Sequence, residues 1–264
     1  VYRGGGIIFI LIAFISIPLT KIYSLFLLLP LITIGYLDDL FSISPLIRYF
    51  IQFLTVYLIL NFNLNLPVNN SIIYFLLLIF GTAVINFTNF IDGIDGLLAS
   101  NMIIALLHIS LLNNNINLYP LLGGLLAFLS LNKSPAKVFM GDVGSTFLGA
   151  ILFMEIIELT NFKMAFLSFS GSAPIYLDAF TCVIARFINK ENIFLSHKKH
   201  LYQRLVSPRF NHNKVTFLYS LSSLLICATC YSYNIIIVCF VITFLFFIGL
   251  FLNKYYATPF YSVK

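Results

Sequence analysis

Nine acidic residues stand in 264, six of them aspartate, and five of those six occupy three short polar segments. Asp38 and Asp39 are adjacent in Gly35-Tyr-Leu-Asp38-Asp39-Leu. Asp92 and Asp95 fall in Asn86-Phe-Thr-Asn89-Phe-Ile-Asp92-Gly93-Ile-Asp95-Gly96. Asp142 lies in Asn132-Lys-Ser-Pro135-Ala-Lys137-Val-Phe139-Met-Gly141-Asp142-Val-Gly144-Ser145. Clustered carboxylates repel, raise one another's pKa and are relieved by a divalent cation. Oxygen donors without a Cys/His cluster favour Mg²⁺ or Mn²⁺ over zinc. Polar residues in the second segment recur every three positions, which lines one face of a 3₁₀ turn, and Gly93 and Gly96 let backbone approach a ligand. In the third, a Gly/Ser-rich helix start offers N–H groups to phosphate and Phe139 offers a stacking face for a base. A fourth segment, His197-Lys-Lys-His200-Leu-Tyr-Gln203-Arg204, suits either a phosphate substrate or anionic lipid headgroups.

These groups must be carried by membrane helices. The chain is 60% apolar and 9% charged, with mean hydropathy +1.00, which excludes a soluble domain, a disordered tail and a disulfide scaffold. Apolar runs at roughly 7–19, 22–37, 46–60, 72–88, 95–112, 119–131, 145–158, 165–188, 215–232 and 235–252 predict an all-α polytopic transmembrane bundle of about ten helices, one domain over residues 1–264. Asn-rich turns at 61–70 and 113–117 read as uncharged connectors. With ten alternating crossings, 13 basic residues fall on one face: Arg3, Arg48, Lys133, Lys137, Arg186, Lys190, Lys198, Lys199, Arg204, Arg209, Lys214, Lys254 and Lys264. Lys21 and Lys163 fall on the other, so the positive-inside rule makes the first face cytoplasmic. The formal charge of +6 is then topological, and nucleic acid is not needed to explain it. Asp38, Asp39, Asp92, Asp95 and Asp142 all sit at cytoplasmic ends of runs, whereas Asp178 lies inside the eighth, about 10 residues or roughly 15 Å above its end. Cys182, Cys227, Cys230 and Cys239 read as buried reduced thiols, and His108 as a hydrogen-bonded structural residue. Glu155 and Glu158, near the outer face, read as solvated or helix-paired.

The ordered set of segments resembles the polyprenyl-phosphate N-acetylhexosamine-1-phosphate transferase superfamily, glycosyltransferase family 4, which includes phospho-MurNAc-pentapeptide translocase and the WecA and WbpL types. The resemblance runs from Arg3-Gly-Gly-Gly6 to the basic loop near residue 210. It implies transfer of a HexNAc-1-phosphate from a UDP-sugar to undecaprenyl phosphate, with Mg²⁺ (or Mn²⁺) required and UMP released. Asp142 matches the Mg²⁺ ligand. Asp38 and Asp39 match the acidic pair assigned to metal positioning or lipid-phosphate activation, and Asp92 joins them as a catalytic candidate. Asn89, Asp92, Asp95 and Asn132 match nucleotide-binding positions, and Phe139 the one that stacks on uracil. Arg3 and Asn86 are further substrate-binding candidates, and His197, His200 and Arg204 are expected to hold diphosphate or sugar.

The translocase branch carries three adjacent His, whereas this chain has His197-x-x-His200. That form, with Arg3-Gly-Gly-Gly6 and Pro174-x-x-x-Asp178, is closest to the WbpL-type branch. The expected donor is therefore a UDP-linked GlcNAc, FucNAc or QuiNAc, and the expected role is to start O-antigen, capsule or cell-envelope glycan, lipopolysaccharide included. Expected placement is the bacterial cytoplasmic membrane, with a homodimer as one possible assembly. The chain begins at Val1 and its first Met is Met102, so one upstream transmembrane helix is expected. The main alternative is a polytopic secondary transporter, which would gather ionisable groups near the midplane and often shows inverted repeats. A CDP-alcohol phosphatidyltransferase is disfavoured, because Asp92-Gly-Ile-Asp95 does not continue as its paired-Asp signature does.

Overall fold

The computed structural model describes residues 3–62, 70–192, 197–206 and 210–262. Arg209 and Lys264 of the basic set, and most of the Asn-rich turn at 61–70, lie outside the described residues. Each predicted run becomes helix: α1 (Ile7–Ile15) and α2 (Ile17–Thr20), α3 (Leu29–Phe41) entered through a 3₁₀ turn, α4 (Pro45–Phe62), α5 (Ser71–Ile91), α6 (Leu97–Asn113), α7 (Tyr119–Asn132), α8 (Gly141–Ile157), α9 (Phe162–Ser170), α10 (Ala173–Ile188), α12 (His212–Cys230) and α13 (Ile235–Tyr255). A five-residue helix, α11 (Leu201–Leu205), lies in the basic loop, where none is expected from hydropathy. The protein is an all-α polytopic membrane bundle. Among the described residues four helices, counted with their 3₁₀ lead-ins, are long and apolar enough to cross a bilayer alone: Tyr23–Phe41, Pro45–Phe62, Ser71–Ile91 and Ile235–Tyr255. The eighth run departs from expectation. It is broken between α9 and α10 with a bend of 83°, because Gly171 and then Pro174, at the first turn of α10, interrupt the helical hydrogen bonds.

Asparagines do more here than connect. Asn70, Asn161, Asn211 and Asn234 N-cap α5, α9, α12 and α13, each side chain accepting from a first-turn N–H. An uncharged cap satisfies those amides without placing an ion at the membrane boundary.

Helix α8 is the centre of the bundle, with every residue from Val143 to Met154 buried. It packs mainly on α3 and α5, which lets its N-terminus meet the ends of both. Close approach requires glycine. A Cβ on Gly35 of α3 would stand 2.7 Å from Val143 Cα, and one on Gly6 would stand 2.4 Å from Gly144 Cα. At the other extreme, α13 buries only Val238 among its 21 residues, which leaves an apolar surface suited to lipid. Cys182, Cys227 and Cys230 are buried free thiols, but Cys239 on α13 is exposed, on that same surface.

Candidate active site

The ends of α3, α5 and α8 converge on one cluster of carboxylates. Successive residues on an α-helix point about 100° apart, so Asp38 and Asp39 diverge. Asp38 turns toward the α3–α4 connection, where Oδ1 accepts from Ile43 N at 2.5 Å and Oδ2 from Arg48 Nη1 at 2.7 Å. Asp39 turns toward α8 and accepts from Asp142 N at 2.9 Å and Val143 N at 3.3 Å. It therefore caps α8 from another helix, where the amide dipoles favour a negative charge. The first-turn N–H groups that the sequence offered to phosphate are thus held by Asp39. Gly141 makes this possible, since it has φ +76° and a Cβ there would lie 2.4 Å from Asp39 Oδ2.

Asp142 Oδ2 accepts from Arg48 Nη1 at 2.6 Å and from Asn89 Nδ2 at 3.2 Å. Asn89 is itself oriented by Ser145, whose hydroxyl donates to its Oδ1 at 2.8 Å. Arg48 thus bridges Asp38 and Asp142 with one nitrogen. Sequence reasoning counted it only among the topological cations; its spacing ten residues beyond Asp38 carries no helical signal, because a turn intervenes. Asp92 follows the last residue of α5 and is half-buried. Among the described residues no donor reaches its carboxylate. Burial, and then the charges of Asp142 and Asp39, raise its pKa well above the usual carboxylate range.

The 86–96 segment is not a 3₁₀ turn throughout. Asn86 and Asn89 are on α5, and the chain leaves the helix at Asp92 to make a pair of turns. Asn86 is buried and hydrogen-bonded to Tyr49, so it supports α4 against α5. Asp95 and Asn132 fasten the loop that carries Phe139. Asp95 Oδ2 accepts from Ala136 N at 3.2 Å, and Asn132 accepts from Gly96 N at 3.1 Å and donates to Val138 O at 2.9 Å. Backbone bonds from Gly5 N and Gly6 N to Phe139 O and Met140 O, each 2.9 Å, hold the same loop from the N-terminal side. Phe139 itself is 39% exposed, and Arg3 is exposed beside this pairing.

The basic loop is drawn inward by Asp178. Its carboxylate, on α10, accepts from Leu201 N at 2.8 Å, Tyr202 N at 3.0 Å and Tyr219 Oη at 2.6 Å. Tyr202 Oη donates to Phe90 O at 2.7 Å, which docks the loop two residues from Asp92. His197 and His200 stack with ring centroids 4.9 Å apart, and both rings approach Phe90. Burial, followed by the neighbouring His200 and cationic groups, lowers the His197 pKa to about 3. His197 is therefore a neutral hydrogen-bonding group here and not the cation its basic surroundings suggest. Arg204 is buried, and its guanidinium donates to Lys199 O, Thr258 O and Asn253 Oδ1 at 2.9, 2.9 and 2.6 Å. It secures the C-terminal segment to the loop. Lys199 and Arg186 both pair with Glu191, at 2.7 and 3.2 Å; Lys198 is exposed. The structure thus joins Asp38, Asp39, Asn89, Asp92 and Asp142 in one cluster, with Phe139 and His197 on adjoining loops. It commits Asn86, Asp95, Asn132 and Arg204 to protein partners.

Away from this cluster, His108 Nε2 lies 3.1 Å from Leu167 O inside the bundle, and Glu155 accepts from Asn115 at 2.8 Å.

The sequence model of the family described as "Glycosyl transferase family 4" matches residues 21–160, a stretch that holds the whole carboxylate cluster, Arg48 and Phe139 but not the basic loop. A "Probable undecaprenyl-phosphate N-acetylglucosaminyl 1-phosphate transferase" of Bacillus subtilis is 27% identical over 227 residues, 74% of this chain and 63% of that protein. A "Phospho-N-acetylmuramoyl-pentapeptide-transferase" of Leuconostoc citreum is 36% identical over 48% of this chain and 45% of that one. Its namesake from Petrotoga mobilis is 36% identical over 56% and 57%. The chain thus spans less than two thirds of the length of these relatives. With more than half of its residues matched by that family's model, the chain belongs to glycosyl transferase family 4.

Proposed function

We propose that the protein transfers a HexNAc-1-phosphate from a UDP-sugar to undecaprenyl phosphate, releasing UMP and starting an O-antigen, capsule or other cell-envelope glycan. The observation that carries this reading is the cluster of Asp38, Asp39, Asp92 and Asp142, in which Arg48 pairs with Asp38 and Asp142, with the exposed Phe139 ring on an adjoining loop. In the reaction an oxygen of the lipid phosphate bonds to the β-phosphorus of the UDP-sugar. The bond from that phosphorus to the bridging oxygen breaks, and UMP leaves with its electron pair.

The carboxylates fit a Mg²⁺ ion. Among the described residues no donor reaches Asp142 Oδ1 or the Asp92 carboxylate, whereas both oxygens of Asp38 and of Asp39 already hold N–H groups. Asp142 and Asp92 would hold the ion, with Asp38 and Asp39 fixing the position of Asp142 and Arg48. When bound, Mg²⁺ would offset the diphosphate charge. The protein's own contribution is positional. Asn89 and Arg48 orient Asp142, and the pinned 133–140 loop presents Phe139 to the uracil. The excess of basic residues toward this end supports a cytoplasmic-facing site in the bacterial inner membrane. The missing His triplet argues for a small donor of the GlcNAc, FucNAc or QuiNAc type. UDP-GlcNAc is the first to test, because the Bacillus relative is named for N-acetylglucosamine.

The test is UMP release in membranes containing the protein and undecaprenyl phosphate, with a panel of labelled UDP-sugars, with and without EDTA. One sugar is expected to turn over, with activity lost to EDTA and restored by Mg²⁺. Asp142→Ala is expected to be inactive while still folded. No turnover of any UDP-sugar refutes the reading.

A further inference from the structure

A second cluster of ligand-type side chains lies beside the carboxylates but has different chemistry. Cys182 is on α10, one turn beyond Asp178, and faces the loop that Asp178 draws in. One donor atom each from Cys182, His197 and His200 lies within 4.8 Å of the other two. Cys182 is 5% exposed and His200 2%. Among the described residues no hydrogen-bond partner within normal distance reaches the buried His200 Nδ1, which stands 3.7 Å from Asp178 Oδ1.

We infer that Cys182, His197 and His200 form a binding site for a thiophilic divalent cation of the zinc class, with Asp178 behind His200 as the carboxylate that orients its ring. One sulfur and two imidazole nitrogens are the donor set zinc prefers and Mg²⁺ does not. A metal-bound imidazole usually donates its other N–H to a carboxylate, and Nδ1 of His200 stands 3.7 Å from that of Asp178. An inert buried thiol explains Cys182 alone. It does not explain two imidazoles gathered on that thiol. Zinc–sulfur and zinc–nitrogen bonds of about 2.3 and 2.0 Å set donor atoms roughly 3.5 Å apart, so side-chain rotations must close the trio by about 1 Å. Binding replaces the Cys182 S–H bond by a sulfur–metal bond and releases the proton to water. The ion then ties the 197–205 loop to α10. Binding itself does not depend on the proposed transferase reaction.

The test uses the full chain, purified in detergent without a histidine tag and stripped with chelator, then titrated with Co²⁺. A thiolate-to-cobalt charge-transfer band is expected in the near ultraviolet, saturating at one ion per chain, displaced by Zn²⁺ and untouched by Mg²⁺. Cys182→Ser, which keeps the side-chain shape, is expected to abolish the band. A variant with Cys227, Cys230 and Cys239 all changed to Ser is expected to retain it. His197→Gln and His200→Gln are each expected to weaken binding at least tenfold, and Asp178→Asn by about 10- to 100-fold. A wild-type chain with no charge-transfer band overturns the inference, as does a band that survives Cys182→Ser or disappears with the other three cysteines.

Discussion

Asp178→Asn is expected to release the basic loop without unfolding the bundle. Oδ1 of Asp178 accepts from Leu201 N, and Oδ2 accepts from both Tyr202 N and Tyr219 Oη. An asparagine offers one oxygen. With that oxygen in the Oδ2 position, the new NH₂ faces the Leu201 N–H, and neither group can accept. An orphaned buried donor costs about 1–3 kcal/mol, and the two remaining bonds lose about half their charge-assisted strength, roughly 0.5–1 kcal/mol each. The sum is about 2–5 kcal/mol, borne by a segment whose remaining anchors include Tyr202 Oη on Phe90 O, Lys199 on Glu191 and the Arg204 bonds. At about 1.4 kcal/mol per factor of ten, local opening rises roughly 30- to 4,000-fold. Amide hydrogen exchange over residues 197–206, read by mass spectrometry on protein in detergent, measures this directly. Exchange in α8 and α5 is expected to stay as in wild type. Tyr219→Phe removes one donor and leaves the Oδ2 bond to Tyr202 in place, so it is expected to raise loop exchange only about fivefold, near 1 kcal/mol. Exchange in the loop that changes less than threefold in Asp178→Asn would refute the claim that this carboxylate holds it.

Asp92 carries a pH prediction. Its folded pKa is raised, so the folded state binds the extra proton, and stability falls as pH rises from the unfolded value through the folded one. Asp92→Asn is accordingly expected to raise the thermal midpoint at neutral pH in EDTA, and Mg²⁺ to stabilise wild type more than the variant; an equal Mg²⁺ effect on both would remove Asp92 from the metal set. Phe139→Ala is expected to raise the KM for the UDP-sugar by about 5- to 150-fold, the worth of one base–aromatic stack of about 1–3 kcal/mol, and an unchanged KM would leave the ring without that role. Gly6→Ala places a Cβ 2.4 Å from Gly144 Cα, a clash with backbone that is expected to cost about 1–3 kcal/mol and lower the thermal midpoint. For topology, a thiol introduced at the exposed Lys198, in a Cys239→Ser background, is expected to label only from the cytoplasmic side. Labelling from outside would invert the orientation.

Much of this was legible in the residue order. Hydropathy runs marked ten helical stretches, because lipid leaves the backbone no partner but itself. The residues of the carboxylate cluster were visible by type alone, since acids are scarce in such a chain and their positions stand out. The broken eighth run was harder: Gly171 and Pro174 were readable as punctuation, but the 83° bend depends on how α9 and α10 pack. Roles within the site were less legible still. Asp95, Asn132 and Arg204 have the chemistry of substrate contacts, and whether a donor faces a ligand or a neighbouring loop depends on contacts 36 to 54 residues away. The role of Arg48 is not legible in residue order, because its partners are Asp38 across a turn and Asp142 94 positions on.

The sequence by itself determined an all-helical membrane bundle with its aspartates gathered toward one face, since solvation energies alone decide which residues enter lipid and which remain at its edge. Only the tertiary structure decided what each aspartate does. Asp38 and Asp39 are neighbours in the chain, yet the helical twist sends one to Arg48 and the other to the N-terminus of α8. Asp178, the aspartate set apart inside an apolar run, spends its charge on a loop more than twenty residues later. Direction in space is a property of packed helices, and residue order carries it only in part.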